Sequence, residues 1–128
     1  MMKTIILEGL PNTGKTSTLC DLSEELIKTG GKVLFKENLG GNPEDKLMVI
    51  QKPGVKIGIC SLGDYAYLIP LYMGVLKGKD CDIAIVANSC KRIPYYVLEK
   101  LGDVTVLKKN KVSDEDKINI LNEIMRVI

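Results

Sequence analysis

The chain has no histidine and no tryptophan, and it has one phenylalanine and two arginines among 128 residues. The absence of histidine excludes catalysis by an imidazole base and metal ligation by imidazole. Lysine supplies most of the positive charge, the net charge is +2, and no basic stripe carries interleaved aromatic residues. The composition therefore argues against a nucleic-acid-binding surface.

Long apolar runs and paired cysteines are also lacking. The longest apolar run, Tyr65 to Leu76, contains Pro70 and is far shorter than the ~20 residues that a membrane-spanning helix needs. The opening stretch MMKTIILEG has too short an apolar segment for a secretory signal. No C-x-x-C pair occurs, and three of the four cysteines lie in or beside apolar runs, which favours reduced thiols: Cys20, Cys60, Cys81 and Cys90. Together these features predict a cytoplasmic protein with no membrane partner.

Short apolar segments alternate with segments of helical spacing along the whole chain. The pattern predicts strands at Thr4–Leu7, Lys32–Phe35, Leu47–Ile50, Val55–Cys60, Cys81–Ala87 and Val104–Leu107. It predicts helices at Lys15–Thr29, Asp64–Leu76, Pro94–Leu101 and Ser113–Val127. The strands are continuously apolar, which is typical of a mostly parallel sheet covered on both faces. We therefore expect one α/β domain over residues 1–128, a three-layer α/β/α sandwich. A hairpin turning at Pro53-Gly54 would add one antiparallel strand at the sheet edge.

A glycine-rich motif follows the first predicted strand. The stretch GLPNTGKTS from Gly9 to Ser17 reads G-x-x-x-x-G-K-[ST], with a strand before it and a helix after it. Glycines allow the backbone to turn its N–H groups inward, and the helix N-terminus adds the positive end of a dipole. Lys15 can reach the β- and γ-phosphates of a nucleotide, and the Thr16 hydroxyl can bind Mg²⁺. The predicted phosphate-binding residues are Gly9, Pro11, Asn12, Thr13, Gly14, Lys15, Thr16 and Ser17.

In this motif and in its strand and helix pattern the chain resembles the P-loop NTPases, because Gly9, Gly14, Lys15 and Thr16 match the Walker A motif. It also resembles small bacterial P-loop proteins with no assigned reaction, through the stretch Ser61 to Tyr65 (SLGDY). The first resemblance implies a P-loop fold that binds a nucleoside triphosphate with Mg²⁺.

P-loop chemistry usually needs a carboxylate at the end of a strand beside the first one. Two strands compete for that position, one ending near Ser61 and one ending near Asn88. Only the first is followed by a carboxylate, Asp64. Against the D-x-x-G pattern of Ras-like GTPases, Cys60 occupies the aspartate's place. Asp64 is therefore the predicted substitute in catalysis and metal binding. Its alternative role is to cap the next helix.

Other polar residues at strand ends are weaker candidates. Asn88 is expected to hydrogen-bond the base or a phosphate-bound water. Glu8, directly before the motif, could orient water or metal. Arg92 could stabilise charge developing on a phosphoryl group. The polar loop Asn38–Asp45 occupies the place of a switch or substrate loop. The ordinary alternatives are a solvated or lysine-paired strand end for Glu8, a satisfied strand-end amide for Asn88, and surface groups for Arg92 and the loop.

No N-K-x-D guanine motif is present, so ATP is the default nucleotide and GTP the alternative. Three functions share these residues: a Mg²⁺-dependent NTPase or switch, a small-molecule or nucleotide kinase, and a non-enzymatic nucleotide-binding adaptor. Two arginines and no lid-length insertion count against a nucleotide kinase. The predicted helix from Asp64 is apolar nearly all round, so either it is deeply buried or it meets a second copy in a homodimer.

Overall fold

The computed structural model describes residues 2–9, 15–38, 46–61, 69–89, 103–108 and 114–128. These residues form six strands and three helices. The strands are β1 (Lys3–Gly9), β2 (Lys32–Asn38), β3 (Lys46–Lys52), β4 (Val55–Cys60), β5 (Ile83–Ser89) and β6 (Val104–Lys108). The helices are α1 (Lys15–Lys28), α2 (Ile69–Gly78) and α3 (Asp114–Val127). The helix predicted at Pro94–Leu101 lies outside the described residues.

The six strands form one mixed sheet in the order β2-β3-β4-β5-β1-β6. The pairs β4–β5, β5–β1 and β1–β6 are parallel, and the pairs β2–β3 and β3–β4 are antiparallel. Strand β3 therefore runs against the other five. The expectation of an α/β fold with one antiparallel hairpin strand is confirmed.

The hairpin forms as predicted, but its position in the sheet differs. Lys52 pairs with Val55 across Pro53-Gly54, and Gly54 has φ 78°, the left-handed conformation that the third residue of a type II turn requires. The prediction that the hairpin supplies the edge strand is wrong, because β2 pairs outside β3. Burial explains the order: β3 is buried from Leu47 to Ile50, whereas β2 is exposed along most of its length. A strand with exposed lysines and a bulge, here between Val33 and Phe35, is suited to an open edge.

The strand beside β1 also differs from the expected one, which was the strand followed by the carboxylate Asp64. β5 lies directly beside β1, and β4, which precedes Asp64, is one strand further away. β5, which is followed closely in sequence by no carboxylate and contains Asn88, therefore occupies the position beside β1 that was expected for β4. Strand order depends on pairing between residues far apart in the chain, which a local sequence pattern does not reveal.

Apolar side chains alternate between the two faces of the sheet and form two core clusters. Ile5 and Leu7 of β1 pack with the leucines of α1 and with Ile120 and Ile124 of α3. Ile6 packs instead in the cluster that contains Met73 and Leu76 of α2. Two helices thus cover one cluster and α2 covers the other.

The described part of α2, Ile69–Gly78, lies largely within the predicted helix, and residues 64–68 of that prediction lie outside the described residues. Pro70 falls in the first turn of α2, where a missing N–H and a fixed φ are tolerated. None of the described helices has both the length and the apolarity needed to cross a membrane.

Candidate functional site

The carboxyl ends of the parallel strands meet at one edge of the sheet, which we call the carboxyl edge. Strand β1 ends there with Glu8 and Gly9, and Glu8 is in register with Asn88 of β5 on one side and Lys108 of β6 on the other. Ligands of open α/β sheets bind outside this edge. The fold therefore brings the predicted residues Gly9 and Asn88 to one place, with Glu8 and Lys108 beside them.

Helix α1 begins at the same edge. It starts at Lys15, a few residues after β1 ends, so the motif has the strand-loop-helix setting that a phosphate-binding loop requires. Lys15 is only 5% exposed. A buried ammonium group is stable only beside polar or negatively charged partners. Lys15 is therefore a buried cation in the first turn of α1.

The Thr16 hydroxyl connects α1 to the end of β4. Thr16 Oγ1 donates a hydrogen bond to the Ser61 carbonyl oxygen at 3.1 Å, across 45 residues of sequence. Because its hydrogen is given to Ser61, the hydroxyl can only accept or coordinate with its remaining lone pairs. The end of β4 therefore reaches the first turn of α1 even though β5 separates β4 from β1.

Ser61 also holds the beginning of β3. Its side chain is buried, and Ser61 Oγ accepts a hydrogen bond from the Lys46 N–H at 2.9 Å. Its own N–H donates to the Lys46 carbonyl oxygen at 3.0 Å. Ser61 is thus a junction between the start of β3, the end of β4 and the first turn of α1. No sequence pattern predicted this bonding role for Ser61, because a lone serine at a strand end carries no local signal.

Lys117 is a second residue near the motif that no sequence pattern predicted. Its Nζ donates to Ser17 Oγ at 3.1 Å and forms an ion pair with Asp21. The bond joins α3 to α1 across 100 residues, and no motif marks it. The Ser17 hydroxyl, predicted to bind phosphate, therefore faces α3, while a second cation lies beside the first turn of α1.

Several predicted site residues lie outside the described residues: Pro11, Asn12, Thr13, Gly14 and Asp64. Asn88 is described through its backbone position in β5. Within the described ranges, no group of three or more histidine, cysteine, aspartate or glutamate side chains could hold a metal ion. The catalytic and metal-binding roles of Asp64 stay predictions.

The cysteines that the structure describes, Cys20, Cys60 and Cys81, are not joined in disulfides, in agreement with the expected reduced thiols. Cys81 lies before β5, at the opposite edge of the sheet from α1's first turn. Burial raises the pKa of the Cys81 thiol to about 11, against the opposing field of Lys56. The Cys81 thiol is therefore a buried side chain that contributes to packing and does not act as a nucleophile.

Comparisons with protein-family models, with curated proteins and with solved structures found no match to the chain.

Proposed function

We propose that this protein is a small P-loop NTPase that binds a nucleoside triphosphate, by default ATP, with Mg²⁺ and hydrolyses it. The proposal includes the three-layer P-loop arrangement. It is supported by the motif itself, by a strand that ends at Gly9 and by a helix that begins at Lys15.

The observation that carries the proposal is the hydrogen bond from Thr16 to Ser61. A hydroxyl whose hydrogen is already donated offers its oxygen to a cation, and oxygen is the ligand that Mg²⁺ prefers. The bond also brings the end of β4 to the first turn of α1. The donor chemistry of this edge therefore fits magnesium and a polyphosphate.

In the proposed complex the main-chain N–H groups from Gly9 to Thr16 bind the phosphates, and Lys15 neutralises their charge. Thr16 and Asp64 hold Mg²⁺, which when bound neutralises charge on the phosphate oxygens. Ser17 contributes its main-chain N–H, since its hydroxyl bonds Lys117. Asn88, on the strand beside β1, is the proposed contact to the nucleotide or its water. We also propose a cytoplasmic protein, and a homodimer through α2, whose Leu71 is 60% exposed.

Binding and phosphate release, measured with Mg²⁺-ATP and Mg²⁺-GTP on the wild type and two variants, test the proposal. Lys15→Ala should weaken nucleotide binding roughly 100-fold, because removing a charge-assisted contact with phosphate costs about 1.5–3 kcal/mol. Asp64→Asn should keep binding and lose turnover. Lys77→Ala, an exposed lysine at the end of α2, is the matched control and should behave as the wild type.

The same assay separates the alternatives. Binding without phosphate release would replace hydrolysis by a nucleotide-holding role, and release that appears only with a phosphate acceptor would identify a kinase. Unchanged nucleotide affinity in Lys15→Ala would remove the motif from the mechanism and end the proposal.

A further inference from the structure

A groove of about 730 Å³ runs between α1 and α3 on the outer surface of the molecule. It is separate from the motif, because its lining residues come from the second half of α1 and from α3 beyond Lys117. Its two walls differ in chemistry.

The α1 wall is acidic. It presents Asp21, Glu24 and Glu25, with Lys28 at its end, so that three carboxylates outnumber one ammonium group. Asp21 is paired with Lys117. Glu24 and Glu25 are exposed and make no ion pair among the residues that the structure describes. With Lys28 on the wall and Lys117 paired to Asp21, the wall keeps an excess of one negative charge.

The α3 wall is apolar. Ile118, Leu121 and Met125 line it at a spacing of three and four residues, which places them in one stripe along the helix. Ile118 is 55% exposed and Met125 is 36% exposed, whereas the core contacts of α3 are made by Ile120 and Ile124. Leu121 is partly buried and also packs against that core, so the exposed part of the stripe, Ile118 and Met125, is additional to the apolar face that holds α3 on the sheet.

We propose that this groove binds a cationic amphipathic helix of a partner protein. An apolar stripe on the occupant would cover Ile118, Leu121 and Met125, and lysines or arginines along its flank would meet Glu24 and Glu25. The lining runs from residue 118 to residue 125 of α3, about 12 Å along the axis, so a helix of two to three turns spans it. The acidic wall repels nucleic acid and anionic membranes, which leaves a basic peptide as the complementary ligand.

A synthetic 15-residue peptide is the probe, with leucine at i, i+3, i+4 and i+7 and lysine at the flanking positions. Its affinity is measured by fluorescence anisotropy against the full chain, beside a scrambled peptide of the same composition. We expect the amphipathic peptide to bind at least tenfold more tightly than the scrambled one, and its affinity to fall as salt is raised.

Two variants of the groove should each weaken binding about tenfold or more: Ile118→Asn on the apolar wall and the double variant Glu24→Lys, Glu25→Lys on the acidic wall. Glu123→Lys, an exposed charge on α3 outside the groove, is the matched control and should change affinity less than twofold. All of these positions are exposed, and urea unfolding verifies that each variant folds.

Three results would overturn the proposal: equal binding of the ordered and scrambled peptides, equal losses in Glu123→Lys and the groove variants, or self-association of the wild type that Ile118→Asn abolishes. The last result, seen by sedimentation, would make a second copy the occupant. No nucleotide enters the experiment, so its outcome is independent of the proposed NTPase activity.

Discussion

The two edges of the sheet are built in opposite ways. At the amino edge, where β4 and β5 begin, the connections between elements are short, as at residues 53–54 and 79–82, and the main chain is closely bonded. Asp82 accepts from the Lys56 N–H through Oδ2 at 2.8 Å, and its own N–H donates to the Lys56 carbonyl oxygen at 2.8 Å. The described residues with positive φ, Gly30, Gly54 and Asp80, all lie there.

At the carboxyl edge the described strand ends carry polar groups of the proposed site, as at Glu8 of β1 and at Ser61 after β4. Short, hydrogen-bonded turns fix the positions of strands, whereas polar groups at strand ends are available to a ligand. We therefore expect the stability of the fold to depend mainly on the amino edge and the proposed chemistry to depend on the carboxyl edge. Variants at each edge can test this division.

The largest effect on stability is expected from Gly31→Ala at the amino edge. A Cβ there would lie 2.5 Å from the Leu26 carbonyl oxygen and 2.7 Å from Ile50 Cγ2. Main-chain atoms cannot move aside as a side chain can, so the free energy of unfolding should fall by about 3 kcal/mol. Urea unfolding measures the loss, while the nucleotide affinity of the folded fraction should stay unchanged.

Gly74→Ala is the control for that variant. Gly74 lies in α2 with no atom within 4 Å of an added Cβ, so alanine should stabilise the protein by about 0.5–1 kcal/mol. If Gly31→Ala proved as harmless as Gly74→Ala, the close packing of the amino edge would not be what holds β2 in place.

Ser61→Ala at the carboxyl edge should have a smaller effect on stability. It removes the Oγ that accepts from the Lys46 N–H, which costs about 1–2 kcal/mol of unfolding free energy. Ser61 also positions its carbonyl oxygen against Thr16. Under the proposed function, nucleotide binding by this variant should therefore depend several-fold more weakly on Mg²⁺ than binding by the wild type. Titration of Mg²⁺ at fixed nucleotide measures this second effect.

Ser23→Ala provides the comparison for Ser61. Ser23 is also buried, but its hydroxyl donates to Cys20 within α1. Its loss should lower stability slightly and leave the Mg²⁺ titration unchanged. An equal shift in both titrations would mean that Ser61 acts through general stability alone.

The smallest effect is expected at Cys81, where no change in stability is involved. The thiolate is the reactive form, and a pKa of about 11 in place of 9.0 lowers the thiolate fraction at pH 8 by about 100-fold. Iodoacetamide should therefore modify the partly exposed Cys20 well before Cys81, and modification of Cys81 should accelerate as the pH rises toward 11. Peptide mapping by mass spectrometry follows both sites, and rapid modification of Cys81 at pH 8 would show that burial does not protect it.

Local chemistry was sufficient to predict most elements of the described chain. Pro53-Gly54 marked the hairpin, Gly30-Gly31 marked the end of α1, and the apolar runs marked the strands within one or two residues at most ends. β2 was predicted too short, as Lys32–Phe35, because its later residues Lys36, Glu37 and Asn38 are polar. They extend the strand because they pair with β3, which no local pattern records.

The sequence by itself determined the order of strands and helices along the chain and the strand-loop-helix setting of the motif, since these depend on residues a few positions apart. Only the tertiary structure decided that β5 separates β4 from β1, that β2 is the open edge, and that Ser61 and Lys117 reach the first turn of α1. Those outcomes depend on pairings and hydrogen bonds between residues far apart in sequence, whose energies are settled by the packing of the whole sheet.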